Sequence, residues 1–457
     1  MHFIIFFIPF IVSYFISDSS TSYLIAWSGS IFLLIYSVFI NFRIYDQKIK
    51  FFSPLILSQG LLWGYTAISS IFYFLDQLGY EYFESVSLPN KFEIETLSQS
   101  QKYIVFAHAC YLSGYFLYRN KRSGFQEYKI NLTPAAYIKL SIGATILALI
   151  ALKTPFAQLS SYFNIFSTIC AVKYFGYSLS HRKLILKGFL YFATVLLIGF
   201  LSGMKESTLF PLIYLGVILY DKYGVPRTSL VFIPLIIAYF YFIPTVNGII
   251  RDAAWYGNKD AYGTLSALDD PRLFDKDKLR SNNWAFLTTR LSEISMLNRY
   301  IESVPKRRPF YGFEIYKNGF LSLIPRFLWP SKLSPDVTAQ QRAVENGALI
   351  LNSPSDSTSA KPQTLADAYM SFGYPSILIT FLIYGFLVHY LSSLLERKLG
   401  YDLGLSVLFY SLFSILSRGG AFENLFNTTF YAFVLIYITI YFFKRLNIIE
   451  LNPEYIN

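Results

Sequence analysis

Runs of roughly 20 apolar residues recur along this 457-residue chain, and a run of that length is what crosses the hydrocarbon core of a bilayer as a helix. Every backbone polar group must be satisfied inside such a segment, so the runs leave an all-α, polytopic bundle as the fold class. About twelve spans are expected, near 2–17, 23–41, 51–76, 102–118, 135–152, 156–179, 184–203, 207–222, 229–246, 367–395, 402–418 and 427–443. The first run is expected to be retained as a span. Only His2 stands where a signal peptide carries its basic residues, and no small-residue cleavage pattern follows.

One stretch of about 120 residues interrupts the apolar pattern. The chain therefore reads as three blocks: a nine-helix membrane block over 1–246, a large extracytoplasmic loop over 247–366 and a three-helix membrane block over 367–457. Sixteen lysines and arginines crowd the loop between Val246 and Ala366. The connectors on one side of the spans hold Arg43, Lys48, Lys50, Arg119, Lys121, Arg122, Lys129, Arg182, Lys183, Lys187, Lys222, Arg227, Arg397, Lys398, Lys444 and Arg445. The short connectors on the other side hold only Lys91, Lys102, Lys153, Lys205 and Arg418. Sixteen against five orients both termini to the cytoplasm. The long basic loop lies outside, because loops above about 60 residues translocate largely regardless of charge.

The net charge of +11 is accounted for by this topology and by anionic lipid, so it does not point to nucleic acid. Cys110 and Cys170 fall within spans and form no disulfide framework. The histidines (His2, His108, His181 and His389) lie in spans or toward the cytoplasm, which argues against a metal site or a histidine-based triad on the outer face. His108 reads as a core histidine. No internal repeat is visible, which argues against a transporter built from two related halves.

The loop has internal texture. Val246–Arg280 is polar and turn-rich and reads as an exposed connection. Asn282–Val304 repeats Leu287, Leu291, Ile294 and Leu297 at helical spacing and is expected to be one amphipathic helix, with Arg290 and Glu293 as an i,i+3 pair. Pro309–Trp329 is aromatic, broken by Arg308, Lys317 and Arg326, and too short to span, so it is expected at the interface with Trp329 at headgroup level. Leu333–Lys361 is polar and reads as a mobile loop.

The segment Pro325-Arg326-Phe327-Leu328-Trp329-Pro330-Ser331-Lys332 is followed, after a polar loop, by Thr364-Leu365-Ala366-Asp367-Ala368-Tyr369 at the head of an apolar run. Together with Ser202-Gly203-Met204-Lys205, Thr288-Thr289-Arg290 and Leu416-Ser417-Arg418-Gly419, this order resembles the Wzy-type oligosaccharide repeat-unit (O-antigen) polymerases. The resemblance covers topology over the whole chain and motifs over roughly 200–420. It implies a GT-C-like glycosyltransferase of the bacterial inner membrane. Such an enzyme moves a growing glycan from an undecaprenyl-pyrophosphate carrier onto a lipid-linked acceptor at the periplasmic face. No cofactor or metal is implied. Besides the lipid-linked substrates and membrane lipids, the implied partner is a co-polymerase that sets chain length.

The chemistry assigns roles. A pyrophosphate leaving group gains negative charge, and arginine forks stabilise it without a metal. Arg290, Arg326 and Arg418 are the candidates, with Lys205 and Arg251 in support. The acceptor hydroxyl needs a base, and with no outer histidine a carboxylate must serve: Asp367, with Glu293 and Glu423 as competitors. Tyr369, Trp329, Glu293 and Glu423 are the candidates for contact with sugar. An O-antigen ligase is the close alternative, although such ligases lean on an outer-face histidine. A lipid-linked-oligosaccharide flippase or exporter is the alternative from another class.

Overall fold

The computed structural model describes residues 3–44, 59–60, 62–79, 94–117, 127–154, 159–201, 205–253, 263, 266–291, 293–325, 328–329, 331–349, 362–408 and 420–452. In chain order the first elements are α1 (Ile4–Phe15), α2 (Ser19–Ile44), α3 (Ser70–Gln77), α4 (Ile94–Leu117) and β1 (Tyr128–Ile130). Then come α5 (Pro134–Leu152), α6 (Ser160–Ser178), α7 (Ile185–Leu201), α8 (Lys205–Arg251) and α9 (Lys276–Ala285). The last are α10 (Ile294–Ser303), α11 (Glu314–Ser322), α12 (Pro335–Glu345), α13 (Thr364–Phe372), α14 (Tyr374–Leu408), α15 (Phe422–Arg445) and β2 (Ile449–Leu451).

The protein is helical and suited to a membrane. Among the described residues five helices are long and apolar enough to cross one: Ser19–Asn41, Pro134–Leu152, Lys222–Arg251, Tyr374–Leu395 and Phe422–Arg445. Three shorter apolar helices accompany them: Ile4–Phe15, Ile185–Phe200 and Thr208–Tyr220. Large apolar side chains face outward along them, among them Ile146, Leu149 and Ile150 on α5 and Leu230, Val231 and Ile237 on α8, as a lipid solvent permits.

The described residues thus show five such helices where the sequence reading expects about twelve spans. The expected spans at 102–118 and 156–179 fall on α4 and α6, whose buried faces carry polar groups such as Gln101, His108, Ser167 and Ser178. Those groups lower the apolar content below that of a lipid-exposed span. The expected spans 51–76 and 402–418 run into residues outside those described. The tenth span also begins later than expected. A break at Gly373 (φ 66°) separates α13 from α14, so Asp367 sits on a short helix of its own rather than at the head of the span.

The chain packs as two compact units: Met1–Ile130 with Leu287–Asn457, and Asn131–Phe286. In the first, α4 is the central rod, with residues from Leu97 to Phe116 buried almost without interruption. It crosses α14 with backbones nearly touching. A Cβ on Gly114 would stand 1.8 Å from the Leu382 carbonyl oxygen, and one on Gly385 would stand 1.9 Å from that of Tyr111. Small residues that let backbones meet are how helices associate where lipid and side chain are equally apolar. Hydrogen bonds stitch the rest: Tyr23 to Ser70 at 2.9 Å, Trp27 to the Ile68 carbonyl at 2.8 Å, and His389 Nδ1 with the Tyr115 carbonyl oxygen at 2.6 Å. His108 is fully buried and lies flat on Trp63, ring centres 4.2 Å apart. β1 and β2 pair antiparallel, Tyr128 opposite Leu451.

In the second unit α5 packs on α6 through hydroxyls. Ser141 and Ser167 lie 2.9 Å apart, and Thr145 is 2.8 Å from the Ser167 hydroxyl. Tyr191 of α7 donates to Ser141 at 2.9 Å. α8 is interrupted at Gly224, whose φ of 76° and ψ of 175° no helix contains. The exposed connection expected over 246–280 is partly structured: α8 runs on to Arg251, and Asp275 caps α9 by accepting from the Asp277 and Lys278 N–H groups. Arg272 pairs there with Asp270 and Asp252 at 2.8 and 3.2 Å.

Candidate functional site

Three short stretches of the first unit meet around one buried guanidinium. α12 has every local signal of a helix: Ser334 caps it by accepting from the Val337 N–H at 3.2 Å, Pro335 stands in the first turn, and Gly347 (φ 67°) follows its end. Its inward face repeats at Ala339, Arg342 and Ala343. Two alanines let the helix lie close, and the arginine between them reaches inward. The region expected to be a mobile loop is therefore a helix over Pro335–Glu345, and it carries the central charge of the site.

Arg342 is 4% exposed, and both of its partners are buried too, Asp367 at 0% and Glu423 at 1%. Its Nε and Nη2 donate to the two oxygens of Asp367 at 3.2 and 3.0 Å. Nη2 also donates to Glu423 Oε2 at 2.7 Å, and Nη1 donates to Glu423 Oε1. Asp367 has a further duty. Its Oδ2 accepts the Phe422 N–H at 2.8 Å and so caps the positive end of α15 from a different helix. Thr364 donates to the Gly420 carbonyl at 2.8 Å and fixes the approach to that helix.

The charges do not balance: one guanidinium faces two carboxylates. Burial pushes the Asp367 carboxyl up, and neighbouring Glu423 adds to this, while Arg342 and the Phe422 N–H pull it down; the outcome is about 7. Arg342 is driven the opposite way by burial, yet Asp367 and Glu423 hold its pKa above its ordinary range. Tyr300 on α10 is buried, and its hydroxyl is raised by burial and then by the nearby Asp367 charge.

A second network flanks the first. Asn346, just past α12, accepts from Ser303 at 2.7 Å and donates to Tyr311 at 2.9 Å, and Tyr311 donates to Glu345 at 3.0 Å. Ser322 at the end of α11 donates to the Glu423 carbonyl at 2.8 Å, and its own carbonyl accepts from Asn427 and Lys332 at 2.7 and 3.0 Å.

The structure joins Asp367 and Glu423 among the residues expected from sequence. Glu293 is near α13 by one step, accepting from Gln363 at 3.0 Å. It has a left-handed backbone (φ 48°) between a π turn at Phe286–Leu291 and α10, so the single amphipathic helix expected over 282–304 is broken there. Tyr369 is buried, donates to the Val304 carbonyl at 2.6 Å and packs edge-on to Phe310, so its hydroxyl and ring are used in the fold. Trp329 is 40% exposed and donates to Ser331 at 3.1 Å.

Arg326 and Arg418 lie outside the described residues, as do the side chains of Arg290 and Lys205. Arg251 ends α8 in the second unit, half-buried. No group of histidine, cysteine, aspartate and glutamate suited to a metal occurs among the described residues. Arg342 is the residue that sequence reasoning passed over. The Ser334-Pro335 start and the Gly347 stop would have marked its helix.

A family model described as Domain of unknown function (DUF8712) matches residues 8–451. No curated protein and no solved structure matches the chain.

Proposed function

The chain belongs to the family described as Domain of unknown function (DUF8712), and for it we propose lipid-dependent glycosyl transfer at the periplasmic face of a bacterial inner membrane. In this reading both termini are cytoplasmic and the 247–366 segment lies outside. A glycan passes from an undecaprenyl-pyrophosphate carrier to a lipid-linked repeat unit, and the product is a surface polysaccharide such as O-antigen. Arg290, Arg326 and Arg418 neutralise the departing pyrophosphate, with Lys205 and Arg251 in support, and Asp367 takes the acceptor's proton once released from Arg342.

The observation that supports this reading is the buried Arg342–Asp367–Glu423 cluster at the starts of α13 and α15. Its neighbours anchor the ends of both arginine-bearing segments. Gly420, two residues past Arg418, is held by Thr364. Ser322 and Lys332, on either side of Arg326 in the sequence, are bonded to each other, and Ser322 is bonded to α15.

The test is a purified preparation given its lipid-linked repeat unit in detergent with a chelator present. A ladder of lipid-linked multimers is expected, lost in Arg326→Ala and Arg418→Ala. Transfer to a lipid A core instead of a ladder would make the chain a ligase. Translocation of the substrate in vesicles without any new glycosidic bond would overturn the enzyme reading in favour of a flippase.

A further inference from the structure

The helix that carries Arg342 is held unlike the helices beneath it. Its buried side chains are Ala339, Arg342 and Ala343, so its apolar burial is slight, while Val337 and Val344 face out. What fastens it is polar: Arg342 to Asp367 and Glu423, Asn346 to Ser303 and Tyr311, and Asp336 to Asn424 at 3.2 Å. An element with few apolar contacts belongs to the least stable part of a fold, and its attachment follows the charge state of its central bond.

That bond is one positive charge short. Among the described residues two carboxylates meet a single guanidinium with all three side chains buried, so one negative charge is uncompensated there until a proton joins the pair. The groups facing Asp367 are Arg342 from α12, Glu423 and the Phe422 N–H from α15, and Tyr300 from α10. Glu293 and Tyr311 stand further off and act on Tyr300. α11 carries Glu314 and Lys317, and neither bonds to the cluster among the described contacts. Between Tyr374 and Leu395, α14 carries Tyr374 against Phe106, Tyr384 against Tyr111, Tyr390 against Phe386 and His389, which is spent on Tyr115; none bonds to the cluster among the described contacts.

We propose that α12 is a proton-controlled latch, closed over Asp367 while the Asp367–Glu423 pair holds one proton and released when the pair loses it. The direction follows from the charge count. Closing buries the surplus carboxylate, so the closed state binds the proton more tightly than the open one, and raising the pH favours opening. Release at neutral pH uncovers Asp367 as an ionised carboxylate, free of Arg342. The latch stands on the cluster alone and does not depend on the glycosyl-transfer reading.

Single-cysteine labelling in detergent, in the full chain with Cys110 and Cys170 replaced by alanine, tests it. Ala343→Cys reports the buried face of α12, and Val344→Cys on its outward face corrects for thiolate chemistry. The ratio of the two maleimide rates is expected to climb between pH 6 and 8, by up to about tenfold per unit, the ceiling for a single linked proton. Glu423→Gln removes the surplus charge and should leave the ratio low and flat. A flat ratio in the parent, or an unchanged rise in Glu423→Gln, overturns the latch. If Ala343→Cys itself loosens the helix, amide exchange of residues 339–346 in the unsubstituted chain decides. Protection there, divided by the intrinsic rate, should fall with pH while that of 423–427 holds; parallel behaviour of the two segments overturns the latch.

Discussion

Arg342 illustrates how a buried charge is kept. Its three donor nitrogens are spent on two carboxylates, and one of those carboxylates also caps a helix. Removing the cation leaves both acids buried and unpaired, so Arg342→Leu is expected to lower stability by about 3–5 kcal/mol. Glu423→Gln relieves the surplus charge but turns one of the two oxygens that accept from Arg342 into a donor, so its cost is expected at about 1–3 kcal/mol. Thermal unfolding in detergent distinguishes the two. The pH dependence has a definite sign. Folding raises the Asp367 carboxyl from 3.8 to about 7, so the folded chain holds that proton more tightly. The stability it contributes is full below about pH 4 and is lost as pH rises through 7. Melting temperature should therefore fall from pH 5 to pH 8, and the fall should shrink in Glu423→Gln. Sequence reasoning named Asp367 and Glu423 as candidate acids from their places beside apolar runs. It could not see that a third residue, Arg342 in the polar stretch before them, would join the two.

At the scale of elements, the crossing of α4 and α14 is set by two glycines that no side chain can replace without moving a backbone. Gly114→Ala and Gly385→Ala would drive a methyl into a carbonyl oxygen at 1.8 and 1.9 Å. Each is expected to cost about 1–3 kcal/mol, the usual penalty of overpacking. Gly143 on α5 has nothing within 4 Å of its absent Cβ. Its replacement by alanine should be neutral or stabilise by up to about 1 kcal/mol, since glycine is the poorer helix former. Unfolding of the three variants under one set of conditions checks the contrast. Helix type was legible along these stretches, because apolar residues at helical spacing on a bilayer-length run admit little else. Polar helices were harder. α12 has no apolar stripe to announce it, and α4 carries enough polar residues to pass for a weaker span while lying at the centre of its unit.

For the whole molecule, the five long apolar helices predict that the chain stays with the membrane after an alkaline carbonate wash and leaves it only in detergent. The proposed orientation has its own test. Ser281→Cys, in the basic segment, and Lys183→Cys, in a connector, should react with an impermeant maleimide from opposite sides of the membrane. Reaction from one side would overturn the orientation drawn from the charge count. By itself the sequence determined that this is a helical, multi-pass protein with a long basic segment. Bilayer thickness and backbone hydrogen bonding act on each run separately, so those features need no partner to be read. The tertiary structure alone decided which segments gather and what their charges do. It groups residues 1–130 with 287–457, and within that unit it brings position 342 to 367 and 423. Whether a charge is solvated or sealed depends on what packs over it. That burial comes from residues far apart in the chain, and it made two candidate acids and an overlooked arginine into one site.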